Sequence, residues 1–118
     1  MMTVGEIVSL LGLQIIAGHK GLEREVASGY AADLLSDVIA HAPQGCLWLT
    51  LQTHENIVAV ALLIDAGGIV ITGGRQPEEA TCQRAEKEGI PLLASKENTF
   101  VLSGKLYALL TRQQCGVL

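Results

Sequence analysis

"GGIVITGGRQPEEA", residues 67 to 80, decides the fold. A β-branched apolar run ends in a hydroxyl residue and two glycines, and Pro77, Glu78 and Glu79 then read as the start of a helix with Pro77 in its first position. Strand, glycine turn and helix together make one βα unit. The same pattern recurs on both sides: "GCLWLT", "GGIVIT" and "GIPLLAS" are continuous apolar runs opened by Gly45, Gly67 and Gly89, which stand at equal intervals of 22 residues. Helical patterns fill the gaps, "HENIVAVALLIDA" in one and "QPEEATCQRAEKEG" in the other. Strands apolar on both sides and separated by helices predict a parallel sheet covered on both faces, with right-handed crossovers. A leucine-rich solenoid shares such a period, but its L-x-x-L-x-L signature is missing. The predicted class is therefore α/β, a single-domain three-layer sandwich with a mainly parallel central sheet over residues 1–112, and 113–118 form a C-terminal tail.

The remaining elements are shorter. Thr3 and Glu6 have capping-box spacing, and Ile7, Leu10 and Leu11 recur at helical steps until Gly12, predicting a helix over about 3–11. "LQIIAG" reads as a strand, "HKGLEREV" as a turn-bearing connection, "VASGYAA" as a weaker extended piece, and Asp33 as the N-cap of "LLSDVIAHA". "NTFVLSGKLYALLTR" is a final helix capped by Asn98 or Thr99.

Composition narrows the function classes. The 118 residues carry 8 basic against 12 acidic side chains, net −4, with no basic face and only 3% aromatics, so neither phosphate-backbone attraction nor a base-stacking platform is present and nucleic acid is not an expected partner. Cys46, Cys82 and Cys115 are odd in number and far apart, which signals neither a disulfide framework nor a zinc site. The N-terminus lacks a basic leader and the longest apolar run, "IVAVALLI", is too short to cross a bilayer, so the expectation is a cytoplasmic protein with reduced thiols and no membrane partner. A mean hydropathy of +0.38 is high for so small a chain, and "NIVAVALLI" is apolar all round apart from Asn56. Half of its burial is the sheet's work, and a homodimer contact through the helix near 56–65 is expected to supply the rest, the alternative being cover by neighbouring helices.

Ligands of open parallel sheets bind beyond the carboxyl ends of the strands. Three loops, "TLQTHEN", "TGGRQPE" and "SKENTF", then bring Thr50, Thr53, His54, Thr72, Gly73, Gly74, Arg75, Ser95, Lys96 and Thr99 to one rim. Gly73 and Gly74 can turn successive N–H groups into a nest at a positive helix end, and Arg75 can hold phosphate bidentately. Against this, Glu78 and Glu79 already answer the helix dipole, and the segment matches neither G-x-G-x-x-G nor a P-loop, so a bare turn stays open. Gly18, His19, Lys20, Gly21 and Arg24 form a second glycine-flanked polar loop that reads equally well as solvated surface. His54 at a helix start fits capping, and His41 offsets the end of its helix. Cys46 and Cys82 fall in predicted strand and helix, where thiols act as small hydrophobes. Asp65 is a turn residue. No catalytic constellation assembles, and no cofactor is implied.

The order "AGHKGLEREVASGYAADLL", "LTLQTHENIVAVALLIDAGGIVITGGRQPEE" and "AEKEGIPLLASKENTF" resembles the DRTGG domain, over about Thr3 to Leu110. Thr72, Gly73 and Gly74 match the name-giving Thr-Gly-Gly, "SKENTF" with Thr99 matches the polar segment after the last strand, and Gly18, Gly21 and Leu22 fit the glycine-bearing loop. The departure is His54-Glu55, where relatives tend to carry an Asp-Arg pair, and it removes one cation from the rim. The resemblance implies a small dimerising α/β module of the kind inserted in CBS-domain pyrophosphatases and phosphotransacetylases. The expected function is non-catalytic regulation or ligand sensing, with a phosphate-bearing metabolite or nucleotide held by Thr50, His54, Thr72, Gly73, Gly74, Arg75, Ser95 and Thr99. The alternatives are an interaction module docked on a partner enzyme and, less favoured, a small transferase using His54 or His19 as base.

Overall fold

The computed structural model describes residues 1–115. A two-residue strand β1 (Met2–Thr3) leads into helix α1 (Val4–Leu11), and strand β2 (Gln14–Ala17) follows. The capping box is present in full: Glu6 N donates to Thr3 Oγ1 at 3.1 Å and Thr3 N donates to Glu6 Oε1 at 2.8 Å. A short 3-10 turn, His19–Gly21, and strand β3 (Glu25–Val26), which pairs with β1, lead to strand β4 (Ser28–Ala31). The rest alternates: α2 (Leu35–His41), β5 (Cys46–Thr50), α3 (Asn56–Ile64), β6 (Gly68–Ile71), α4 (Glu79–Glu88), β7 (Leu92–Ala94) and α5 (Thr99–Cys115).

The main sheet runs β2-β7-β6-β5-β4, with β4 to β7 parallel and β2 antiparallel on β7. The chain enters at one edge, crosses to the other and returns one strand at a time. Each return step moves the same way, so right-handed crossovers put α2, α3 and α4 on one face. Trp48, Ile69, Ile71 and Leu92 pack there against Val38, Ile57, Val58, Ala61 and Ala85. Leu47, Leu49, Val70 and Leu93 face the other way, onto Val4 and Ile7 of α1 and Leu102 and Leu106 of α5. Two buried faces explain why the strands are apolar without alternation. The three-layer, mainly parallel α/β fold is the one the sequence predicts.

Three local expectations are corrected. Asp33 does not cap α2: the N-cap is Leu34, without a side-chain bond, and the Asp33 carboxylate instead accepts from Thr50 Oγ1 at 3.0 Å and Leu51 N at 2.7 Å. Pro77 does not open α4, whose N-cap is Glu78, fixed by donation of its N–H to Thr53 O at 3.1 Å. The last helix continues past Arg112 through Cys115, so the part of the expected tail at 116–118 lies outside the described residues. On the helix layer, α3 lies between α2 and α4, and these neighbours with the sheet bury Ile57, Val58, Val60 and Ala61. Leu62 and Leu63 stay exposed, Leu63 at 69%.

Gly18 shows how the second glycine loop is used. Its φ is +79°, and a Cβ there would meet Ile90 O at 1.9 Å, inside any tolerable contact. The loop therefore fits against the α4–β7 turn, and Gly18 N donates to Glu86 Oε1 at 2.9 Å.

Candidate functional site

The carboxyl ends of β5, β6 and β7 stop in hydroxyl residues because each exit must satisfy backbone groups at the sheet rim. Thr50 and Thr72 are buried. Thr50 Oγ1 donates to Asp33 Oδ1 and accepts from Gln52 N at 3.1 Å. Thr72 N donates to Thr50 O at 3.0 Å, and Thr72 Oγ1 lies 2.6 Å from Thr99 Oγ1. Asp33, Thr50, Thr72 and Thr99 thus form a polar line across four successive segments, joined by hydrogen bonds rather than open to a ligand. Asn98 caps α5, its Oδ1 accepting from Val101 N at 2.9 Å, which leaves the Thr99 hydroxyl for Thr72.

The glycine pair takes the conformation expected of it, with φ +73° at Gly73 and +74° at Gly74. Its amides are used differently. Gly73 N donates to Glu97 O at 2.8 Å and Gly74 N to Ser95 O at 2.9 Å, so the two N–H groups stitch the loop after β6 to the loop after β7. The anion nest is corrected accordingly: both donors are occupied by carbonyls, and α4 begins five residues beyond Gly74 rather than at it.

The two stitched loops then diverge, since α4 goes to one face of the sheet and α5 to the other. Adjacent strands whose helices leave to opposite faces open a crevice at their carboxyl ends, which is the geometry that ligands of open α/β sheets use. A crevice of about 470 Å³ lies there, lined by Gly74, Gln76, Ala94, Ser95, Lys96, Glu97, Gln14 and the end of α1 at Leu11 and Gly12. Ser95 Oγ accepts from Glu97 N at 3.1 Å, and the Glu97 carboxylate pairs with Lys105. Arg75 and Lys96 are exposed and form no ion pair among the described residues.

Of the eight candidate residues, Gly74 and Ser95 line the crevice, Arg75 is next to it in the chain, and Gly73, Thr72 and Thr99 hold its walls together. Thr50 belongs to the Asp33 end of the polar line. His54 is not brought in: its Nδ1 accepts from Asn56 N at 3.0 Å, serving the first turn of its own helix. Gln14 and Gln76 were not signalled by any motif. Gln14 enters through the register that sets it opposite Ala94, a pairing between strands far apart in sequence. Among the described residues no group of three His, Cys, Asp or Glu side chains could hold a metal ion, and no helix is long and apolar enough to cross a membrane.

Fold and rim define a small three-layer α/β module with a polar crevice between diverging loops. The chain belongs to the DRTGG domain family, whose model matches residues 6–109. Among solved structures it is similar to the CBS and DRTGG domains of the regulatory region of Clostridium perfringens pyrophosphatase, complexed with its activator diadenosine tetraphosphate, at 16% identity and a TM-score of 0.67. That likeness covers 88% of this chain and 45% of the pyrophosphatase chain, so this chain spans less than half of that region. None of the curated proteins matches.

Proposed function

We propose that the chain is a non-catalytic regulatory module that senses a phosphate-bearing small molecule, a nucleotide being the favoured class. The observation that carries this is the crevice between the loops after β6 and β7, lined by Lys96 and by Glu97, whose carboxylate is paired with Lys105, with Arg75 next in the chain to its Gly74 wall; neither Arg75 nor Lys96 has a carboxylate partner among the described residues. Arg75 supplies a planar fork for phosphate and Lys96 a mobile point charge. Gln14 and Gln76 offer both donors and acceptors for a base or sugar. Because the glycine amides are occupied, side chains rather than a backbone nest hold the anion. The family's place in a pyrophosphatase regulatory region that takes a dinucleotide activator supports the regulatory reading. The module works in the cytoplasm and as a homodimer, its contact centred on the exposed Leu62 and Leu63 of α3.

Thermal unfolding with ATP, ADP, diadenosine tetraphosphate, a sugar phosphate and inorganic phosphate tests the ligand reading. A ligand at a hundredfold its Kd stabilises by about 2.7 kcal/mol, on the order of 10 °C for a domain of this size. Arg75→Ala and Lys96→Ala each abolish most of that shift while leaving the unliganded Tm unchanged. Absence of a shift with every one of these anions, or an undiminished shift in both variants, overturns it.

A further inference from the structure

Gly104 stands in the middle of α5 without a reason in the chain's own packing. A glycine inside a helix costs stability relative to alanine, yet a Cβ here would meet nothing within 4 Å, and the position is exposed. What the missing side chain preserves is close approach by something outside the chain. Its neighbours fit the same reading: spacings of 3, 1, 3 and 4 residues put Phe100, Ser103, Gly104, Tyr107 and Thr111 along one side of the helix, with no charge among them. Phe100 is 87% exposed and Tyr107 73%, while Lys105, off this stripe, is paired with Glu97.

Beside the stripe lies a groove. Parallel register sets Gly29 beside Leu47 and Ala31 beside Leu49, so two small residues of β4 share the face turned to α5. A cavity of about 330 Å³ is left there, walled by Leu49, Leu106, Tyr107 and Leu110, with room for a phenyl ring. Phe100 stands four residues, about 6 Å, from Gly104 along the helix, and the groove's α5 wall, Leu106 to Leu110, is centred about 6 Å to the other side. A knob and a hole on one face, equally far from a glycine, are what a twofold contact requires, because each copy must offer both. A different protein needs only one of them.

We propose that a second copy of the chain packs its α5 antiparallel on this one with the twofold axis at Gly104, each copy's Phe100 entering the groove of the other beside Tyr107. The two exposed rings offer about 300 Å² per copy. With Gly104, Ala108 and the exposed Gly29 and Ala31, the pair removes about 1,000 Å² in all, the least for a specific interface, so the contact is weak, with a Kd on the order of 0.1–1 mM. It lies on the opposite layer of the sheet from α3, and it is empty at the lower concentrations where a contact through Leu62 and Leu63 is read.

The test is sedimentation equilibrium of the full chain carrying Leu63→Glu, which removes the α3 contact, from about 20 µM to about 1 mM. Expected is a monomer–dimer equilibrium that Phe100→Ala and Gly104→Glu each weaken by about tenfold or more. Gly104→Glu raises the Tm at the same time, since a better helix former replaces glycine at an open position. A chain that stays monomeric throughout, association that continues beyond a dimer, association unchanged in either variant, or a Tm lowered by Gly104→Glu each overturn the proposal.

Discussion

Thr72 and Thr99 share one hydrogen bond between two hydroxyls, 2.6 Å apart, and Thr72 is fully buried. Removing one partner leaves the other unsatisfied, whereas removing both leaves only a methyl-lined contact. Thr72→Val is therefore expected to destabilise by about 1–2 kcal/mol in urea unfolding, with part of the loss recovered in Thr72→Val/Thr99→Val. Asp65 is the one non-glycine residue at positive φ, +54°, among the described residues, and it is held there by Gln44 Nε2 at 2.7 Å and Arg24 Nη2 at 2.8 Å. Those bonds, Gln44's first, hold its carboxyl below the ordinary carboxylate value. A lowered folded pKa contributes stability above the unfolded value of about 4, lost as pH falls through the folded one. Asp65→Asn should thus be less stable than the parent at pH 7 by urea titration, with the two curves converging as pH falls below the ordinary carboxylate range. In contrast, burial pushes the Cys46 thiol up to about 11, so it stays protonated and unreactive to alkylation at neutral pH.

At the scale of elements, the periodic parts of the chain were legible. The capping box of α1, the three equally spaced βα units and the apolar α3 follow from residues within a few positions of one another. Asp33, Pro77 and the glycine amides were not, because each found a partner outside its own element. A capping side chain competes with every other donor in reach, and Asp33 meets Thr50 and Leu51 from a neighbouring strand's exit. Gly18 combines both kinds of information: its loop position was visible, its contact with Ile90 was not. Gly18→Ala should cost about 3 kcal/mol or more, since the new Cβ meets backbone rather than a flexible side chain and the left-handed conformation is disfavoured as well. Leu63→Glu is the matching test on α3: being exposed, it should change monomer stability by less than about 0.5 kcal/mol while shifting a dimer to monomer in sedimentation.

Across the whole molecule, strand order sets both the rigid core and the place of the candidate crevice. β5, β6 and β7 have partners on both sides and helices on both faces, whereas β4 is an edge. Native-state amide exchange should be slowest at Leu47–Leu49 and Ile69–Ile71 and faster at Ser28–Ala31. The candidate crevice depends on the same order, since it opens where α4 and α5 leave adjacent strands for opposite faces. Of its lining, Gly74, Ser95 and Lys96 were legible from loops that follow strands, and Gln14 and Gln76 were not.

The sequence by itself determined the βα rhythm, the parallel core and the hydroxyl-and-glycine rim, because burial periodicity and turn chemistry act between near neighbours along the chain. Only the tertiary structure decided that β2 lies antiparallel on β7, that Ser95 and Glu97 occupy the glycine amides, and that a groove lies between β4 and α5. These depend on which distant segments meet, and that choice is made by the packing of whole layers against each other.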